Sequence, residues 1–157
     1  MRKRIITAVP PQTDSPEHAW LNLEELVEVE VSSEDPAQPV ENALLPGRNQ
    51  GWRAAVAGEQ TLRLVFDYAQ SLRHIQLKFE ETQQERTHEF VLRWSADHGQ
   101  SFREIVRQQW NFNPHGATTE VENLHVELTH VTVLELIITP DISRGSAHAT
   151  LEQLRLA

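Results

Sequence analysis

The segment WNFNPHG, residues 110 to 116, combines aromatic rings with side chains that form hydrogen bonds. Trp110 offers a flat apolar face, whereas Asn111, Asn113 and His115 offer donors and acceptors. A sugar presents an apolar C–H face and a ring of hydroxyl groups, so these residue types are the ones that a shallow carbohydrate site requires. The segment is therefore a candidate binding rim.

Trp110 also has a structural interpretation. It shares the period-two phase of Phe102 and Val106, which would make it the last core residue of a strand. Asn111 and Asn113 are of a residue type that is common in turns. The sequence alone leaves both interpretations of this segment open.

The sequence contains few of the motifs that mark an enzyme active site or a metal site. It has no cysteine, and none of its eight histidines shows the H-E-x-x-H or H-x-H spacing of a metal site. No G-x-S-x-G, Walker or G-x-G-x-x-G motif occurs. We predict a non-catalytic protein without a cofactor. A carboxylate pair of the kind that glycoside hydrolases use is the catalytic alternative.

The net charge of −9 is unevenly distributed. Residues 2 to 4 are basic, whereas residues 14 to 41 contain acids and neither lysine nor arginine. Without a basic stripe, we expect no binding to nucleic acid or to an anionic membrane surface. The acidic segment is interpreted as a solvated edge that favours solubility, and a surface that docks a partner is the alternative.

The sequence indicates neither a membrane span nor an export signal. No apolar run reaches the roughly 20 residues of a transmembrane helix. The apolar stretch at residues 5 to 9 is too short for a signal peptide, and Pro10 and Pro11 follow it. The cytoplasm is therefore the expected location.

Alternation of apolar and polar residues, typical of antiparallel strands, recurs along the chain. It occurs at residues 27–31, 62–66, 75–79, 90–94, 124–128, 134–138 and 154–156. Trp94 is in phase with Phe90 and Leu92 and is predicted to lie in the core. Eight or nine short strands predict one all-β domain, an antiparallel β-sandwich or jelly roll that spans residues 1–157.

Three further segments complete the predicted strand order. Residues 23 to 26 and 103 to 109 are predicted as strand, and residues 67 to 71 as a short connection. Residues 97 to 99, Asp-His-Gly, predict a hairpin turn because glycine adopts a positive φ at little cost.

Four segments occur in a recognisable order: PVENALLPGRNQGWRAA, EQTLRLVFDYAQSLRHIQLKF, FVLRWSADHGQSFREI and ATLEQLRLA. They resemble the first loop, the core strand pair, the hairpin and the closing strand of discoidin-like (clotting-factor C-type) domains. The resemblance covers residues 27 to 157. It implies the galactose-binding-like jelly roll, a superfamily with many carbohydrate-binding modules.

The resemblance also implies a site. It places residues 32–52, 80–88 and 110–118 at the same end of the sandwich. The predicted ligand-binding residues in these loops are Arg48, Asn49, Trp52, Arg86, His88, Trp110, Asn111, Asn113 and His115. The expected ligand is a carbohydrate. A protein partner is the alternative, because cytoplasmic relatives occur in a ubiquitin-ligase subunit and in a strand-break-repair scaffold. For Trp52, the resemblance equally implies packing beneath the loop.

A calcium site is common in the first loop of such domains. Here Leu45 and Pro46 stand where Asp-Gly usually does, although Glu152 matches a glutamate of the closing strand. Calcium takes six or more oxygen ligands, so no metal is expected. A degenerate calcium site near Glu152 is the alternative.

Overall fold

The computed structural model describes residues 20–157, which form an antiparallel β-sandwich. This confirms the all-β jelly roll that the alternation predicted. Within the described residues there are two one-turn helices and eight strands: α1 (Leu23–Leu26), β1 (Val27–Val31), α2 (Glu41–Leu44), β2 (Trp52–Ala57), β3 (Gln60–Glu80), β4 (Arg86–Ser95), β5 (Arg103–Phe112), β6 (Thr119–Thr139), β7 (His148–Leu151) and β8 (Gln153–Leu156). No helix in residues 20–157 is long and apolar enough to cross a membrane.

Two strands of 21 residues, β3 and β6, are the centre of the fold. They pair near both ends, from Gln60 opposite Ile138 to Glu80 opposite Thr119, with interruptions in the middle. Strands β1, β4 and β5 extend the sheet in the order β1-β3-β6-β4-β5, β8 pairs with the second half of β3, and β2 pairs with β7. Register shifts between Val65 and His74 mark irregularities of the kind that bend long strands.

The inward phase of each strand fills one core. Its largest fully buried side chains are Trp52, Phe79, Phe90 and Phe112, together with leucines of β3, β4 and β6. Trp94 lies on the predicted phase, yet it is only partly buried and packs against the edge of this core. The guanidinium of Arg103 lies over the Trp94 ring, 6.0 Å from the ring centroid.

Two predicted elements were wrong in type. Residues 23 to 26 form α1 rather than a strand, because Asn22 caps the helix by accepting a hydrogen bond from the N–H of Glu24 at 3.2 Å. Residues 67 to 71 are not a connection but the bent middle of β3. The first error missed a local capping signal, whereas the second missed pairing with β6, which is remote in sequence.

The hairpin turn between β4 and β5 forms as predicted. His98 and Gly99 both adopt a positive φ, 60° and 89°. Asp97 accepts hydrogen bonds from the hydroxyl groups of Ser101 and Ser95, both at 2.6 Å. These bonds lower the pKa of Asp97 to about 2, so the turn holds a stable negative charge.

Candidate functional site

The strand ends bring the three predicted loops to one end of the sandwich. Arg86, at the start of β4, pairs with Phe112, at the end of β5. The N–H of Glu81 donates to the carbonyl of Thr118 at 2.8 Å, which joins the second loop to the third. The first loop reaches the same end through Gln50, which lines a cleft together with Glu81.

This polar cleft has a volume of about 690 Å³. Amide and carboxylate side chains dominate its lining, which includes Gln38, Gln50, Gln83, Gln84, Arg53 and Glu152. Burial, and then the nearby Glu80 carboxylate, raise the pKa of Glu152. Trp52 lies beneath the cleft with 1% of its surface exposed, so it offers a ligand no ring face. The cleft can form many hydrogen bonds but has no aromatic platform.

Arg86 holds this end of the sandwich together. It is buried, its Nε donates to Oε1 of Glu81 at 2.6 Å, and its Nη1 donates to the carbonyl of Pro140 at 2.6 Å. Burial acts to raise the pKa of Glu81, but hydrogen bonds from the Gln83 backbone and from Arg86 outweigh it and lower the pKa. The guanidinium therefore joins two loops and has its donors engaged within the protein.

His88 also faces the interior. Its ring lies among Phe79, Phe90 and Phe112, and its Nε2 is 2.6 Å from Oε1 of Glu120. Burial, and then the charge of Arg86, lower the pKa of His88 to about 3. Burial raises the pKa of Glu120. Both directions favour the neutral forms, so one proton lies between the two side chains and the contact is a hydrogen bond rather than an ion pair.

Glu122 extends this cluster. Burial raises its pKa to about 7, helped by the neighbouring Glu120 carboxyl group. The folded protein therefore keeps a proton on Glu122 that the unfolded chain, with an ordinary value of 4.5, releases between these two pH values. This carboxyl group thus makes the fold less stable as the pH rises through that window.

Replacing Glu122 with glutamine, which keeps the neutral form, should remove this loss. Relative to wild type, Glu122→Gln should be about 1–2 kcal/mol more stable at pH 8, allowing for its partial exposure, and unchanged at pH 4. Urea unfolding at the two pH values measures the difference. The lowered pKa of His88 has the opposite effect, because it reduces the stability of the fold as the pH falls. This effect is the same in wild type and in Glu122→Gln, so it cancels in the comparison. The exposed Glu127→Gln on the same strand is the control, and equal behaviour of the two variants would contradict the assignment.

Trp110 lies on the inner face of β5, opposite His88. It is partly buried, and its indole N–H is buried without a hydrogen-bond partner among the described residues. The fully buried last residue of the strand is Phe112 instead. Trp110 is thus neither a fully buried core residue nor a fully exposed residue of a binding rim. Its ring packs on the core at the edge strand β5 and stays partly exposed.

Trp110→Phe should therefore cost little stability. The variant keeps an apolar ring and removes a buried donor whose missing partner costs about 1–3 kcal/mol. We expect a free energy of unfolding within about 1 kcal/mol of wild type, or above it, in denaturant titrations. A loss greater than that would show that the N–H has an acceptor in solution.

Of the remaining predicted residues, Asn113 is partly buried and the others are exposed. Arg48 and Asn49 lie on the surface of the first loop, and Asn111 accepts a hydrogen bond from Thr87 at 3.0 Å. Asn113 accepts from the N–H of His115 at 2.9 Å, which makes it a turn former. Trp52, Arg86 and His88 are buried, so the structure does not bring the nine side chains to one surface. Their role as ligand contacts stays a prediction.

Sequence reasoning missed the residues that make this end polar. The cleft glutamines carry no motif, so nothing in their spacing marks them. Glu120 and Glu122 had a signal, because they continue the inward phase of Leu124, Val126 and Leu128 toward the start of β6. Extending the alternation two steps further would have placed two carboxylates inside.

The chain belongs to the family of XRCC1 N-terminal domains, whose model matches residues 19–127. This agrees with the resemblance to discoidin-like and galactose-binding-like jelly rolls. No curated protein matches the sequence significantly.

Solved structures with the same fold bind different ligands. A pectin-binding carbohydrate-binding module is 18% identical, with a TM-score of 0.60 over 84% of this chain and 90% of that one. The family 32 module of C. perfringens NanJ, in complex with galactose, is 15% identical, with a TM-score of 0.61 over 87% and 96%. Reduced XRCC1, bound to the catalytic domain of DNA polymerase β, is 15% identical, with a TM-score of 0.60 over 84% and 95%. At these identities the comparisons show the fold alone.

Proposed function

We propose that this protein is a non-catalytic module that binds another protein. The observation that carries the proposal is the free edge of β1, which pairs only with β3 among the described residues. The valines of β1 are partly exposed beside it. An unpaired edge next to apolar side chains is a template for a second chain. The XRCC1 domain of the same family, in complex with a polymerase domain, supports a protein ligand.

The loop end gives weaker support to a sugar. Trp52 is buried, and Trp110 packs its ring on the core and is only partly exposed, so neither ring is a fully open platform for a sugar. Arg86 and His88 use their polar atoms within the fold. Carbohydrate binding is the second candidate function, and what favours it is the polar cleft with its four glutamines.

The two candidates separate in one pair of measurements on the full chain. We expect specific proteins to be captured from a lysate, to be identified by mass spectrometry, and to remain bound after glycosidase treatment. We expect the protein to bind no glycan on a glycan array. The control variant Gln83→Ala/Gln84→Ala, which alters only exposed side chains of the cleft, should capture the same proteins. Array binding that this variant loses, with no protein captured from the deglycosylated lysate, would overturn the proposal in favour of a sugar.

A further inference from the structure

The free edge of β1 presents backbone groups at alternate residues. In an antiparallel pair, successive residues turn their N–H and C=O groups to opposite sides. The N–H of Ser32 donates to the carbonyl of Thr61 in β3 at 3.0 Å. By alternation, Glu30 and Glu28 also turn toward β3, whereas Val29 and Val31 turn toward the free edge. Those two residues can bond an added strand without disturbing the β1–β3 ladder.

A groove runs beside this edge. It has a volume of about 530 Å³ and lies between β1 and α2. Val27, Val29 and Val31 form its partly exposed wall, and the buried Leu44 of α2 closes the opposite side. Side chains alternate across a strand, so every second side chain of an added strand would lie beside these valines on the same face of the sheet. The groove therefore requires apolar side chains at alternate positions.

The rim of the groove is acidic. Glu24, Glu34 and Glu41 line it, and Glu34 is fixed there because its Oε1 accepts a hydrogen bond from the N–H of Val40 at 2.7 Å. Glu28 is exposed on the opposite face of β1, and Arg48 is the one cation among the lining residues. Among these described residues, the carboxylates of Glu24, Glu28, Glu34 and Glu41 therefore outnumber the single cation, Arg48. Such a surface favours a partner with positive charge.

We infer that the β1 edge and its groove bind an extended segment of a partner protein in which apolar and basic residues alternate. The inference rests on the proposed function and names its site and the chemistry of the partner. The partner's backbone bonds Val29 and Val31, and its apolar side chains pack beside the valines on their face of the sheet. Its basic side chains alternate with these and meet Glu28 on the opposite face, while the rim carboxylates attract the positive segment as a whole.

A labelled nine-residue peptide of alternating lysine and valine tests this by fluorescence anisotropy with the full chain. It should bind, with an affinity that falls as salt rises, while a matched peptide of alternating glutamate and valine should not. Val29→Pro removes the outward N–H and is compatible with an edge strand, so it should weaken binding about tenfold. Circular dichroism verifies that this variant is folded.

A variant with altered charge provides a second test if Val29→Pro does not fold. Glu28→Lys should weaken binding of the lysine–valine peptide severalfold. Glu127→Lys, which makes an equal charge change at an exposed position of β6, should have no such effect. Equal affinity for both peptides, or wild-type binding by Val29→Pro and Glu28→Lys, would overturn the inference.

Two results would assign the groove to another occupant and so also overturn it. One is a dimer of this chain, detected by light scattering, that Val29→Pro dissociates. The other is a tenfold gain in peptide affinity when Arg2, Lys3 and Arg4 are replaced by alanine, which would make the chain's own N-terminal segment the competitor. In either case the proposed function would still be supported if proteins are captured from the lysate and the glycan array shows no binding.

Discussion

Trp52→Ala is expected to lower the free energy of unfolding by about 3–5 kcal/mol, close to the whole stability of a marginal domain. The ring is 1% exposed, and its Nε1 donates to the carbonyl of Ser33 at 3.1 Å. The variant would leave a cavity beneath the polar cleft and an unpaired carbonyl in the first loop. Denaturant titration followed by far-UV circular dichroism measures the loss.

Trp110→Ala is the matched control for that variant. It removes the same side chain from a partly exposed position on edge strand β5, so its loss should be clearly smaller. Similar losses for the two tryptophans would contradict the burial that the structure assigns to them. A loss below about 1 kcal/mol for Trp52→Ala would show that the first loop does not pack on this ring.

Arg86→Met should cost a similar amount, about 3–5 kcal/mol at pH 7, through a different mechanism. It leaves the Glu81 carboxylate, 12% exposed, without its cation, and it leaves the carbonyl of Pro140 without its donor. In the variant the burial of Glu81 is no longer opposed by Arg86, so its pKa should rise. The loss should therefore shrink as the pH falls toward 4 and the carboxyl group becomes protonated.

A double-mutant cycle with Glu81→Gln isolates the ion pair. The double variant should recover about 1–2 kcal/mol relative to Arg86→Met alone, because it no longer buries an unpaired charge. Additive losses at pH 7, with no dependence on pH, would mean that the two side chains do not interact in solution.

The alternation of apolar residues predicted most of the strands, although it marked neither β2 nor β7. The valines of β1, the Phe90–Trp94 run of β4 and the leucines of β6 all lie on the predicted faces. Alternation could not show that β3 continues through residues 67 to 71, because exposed Asp67 and Tyr68 interrupt the pattern where the strand bends. The bend is fixed by pairing with β6, which is remote in sequence.

The candidate site was less predictable because residue type does not reveal burial. Arg86 and His88 have side chains suited to a ligand, but acids contributed by other segments, Glu81 and Glu120, bind them inside the protein. The sequence could not show that β1 lies at an edge of the sheet, because that depends on the order of all the strands. The acidic segment beside it was visible in the sequence, and our proposal adopts the alternative in which this segment docks a partner.

The pairing of β3 with β6 has a consequence for synthesis on the ribosome. Residues 60 to 80 are made well before their partners at residues 119 to 139. At about 5–20 residues per second, β3 waits roughly 3–12 seconds for the end of β6. The hairpin of β4 and β5 is local and can close within that interval. A nascent chain thus leaves one of its two longest strands without its main partner for seconds, and unpaired apolar strands of this kind favour aggregation.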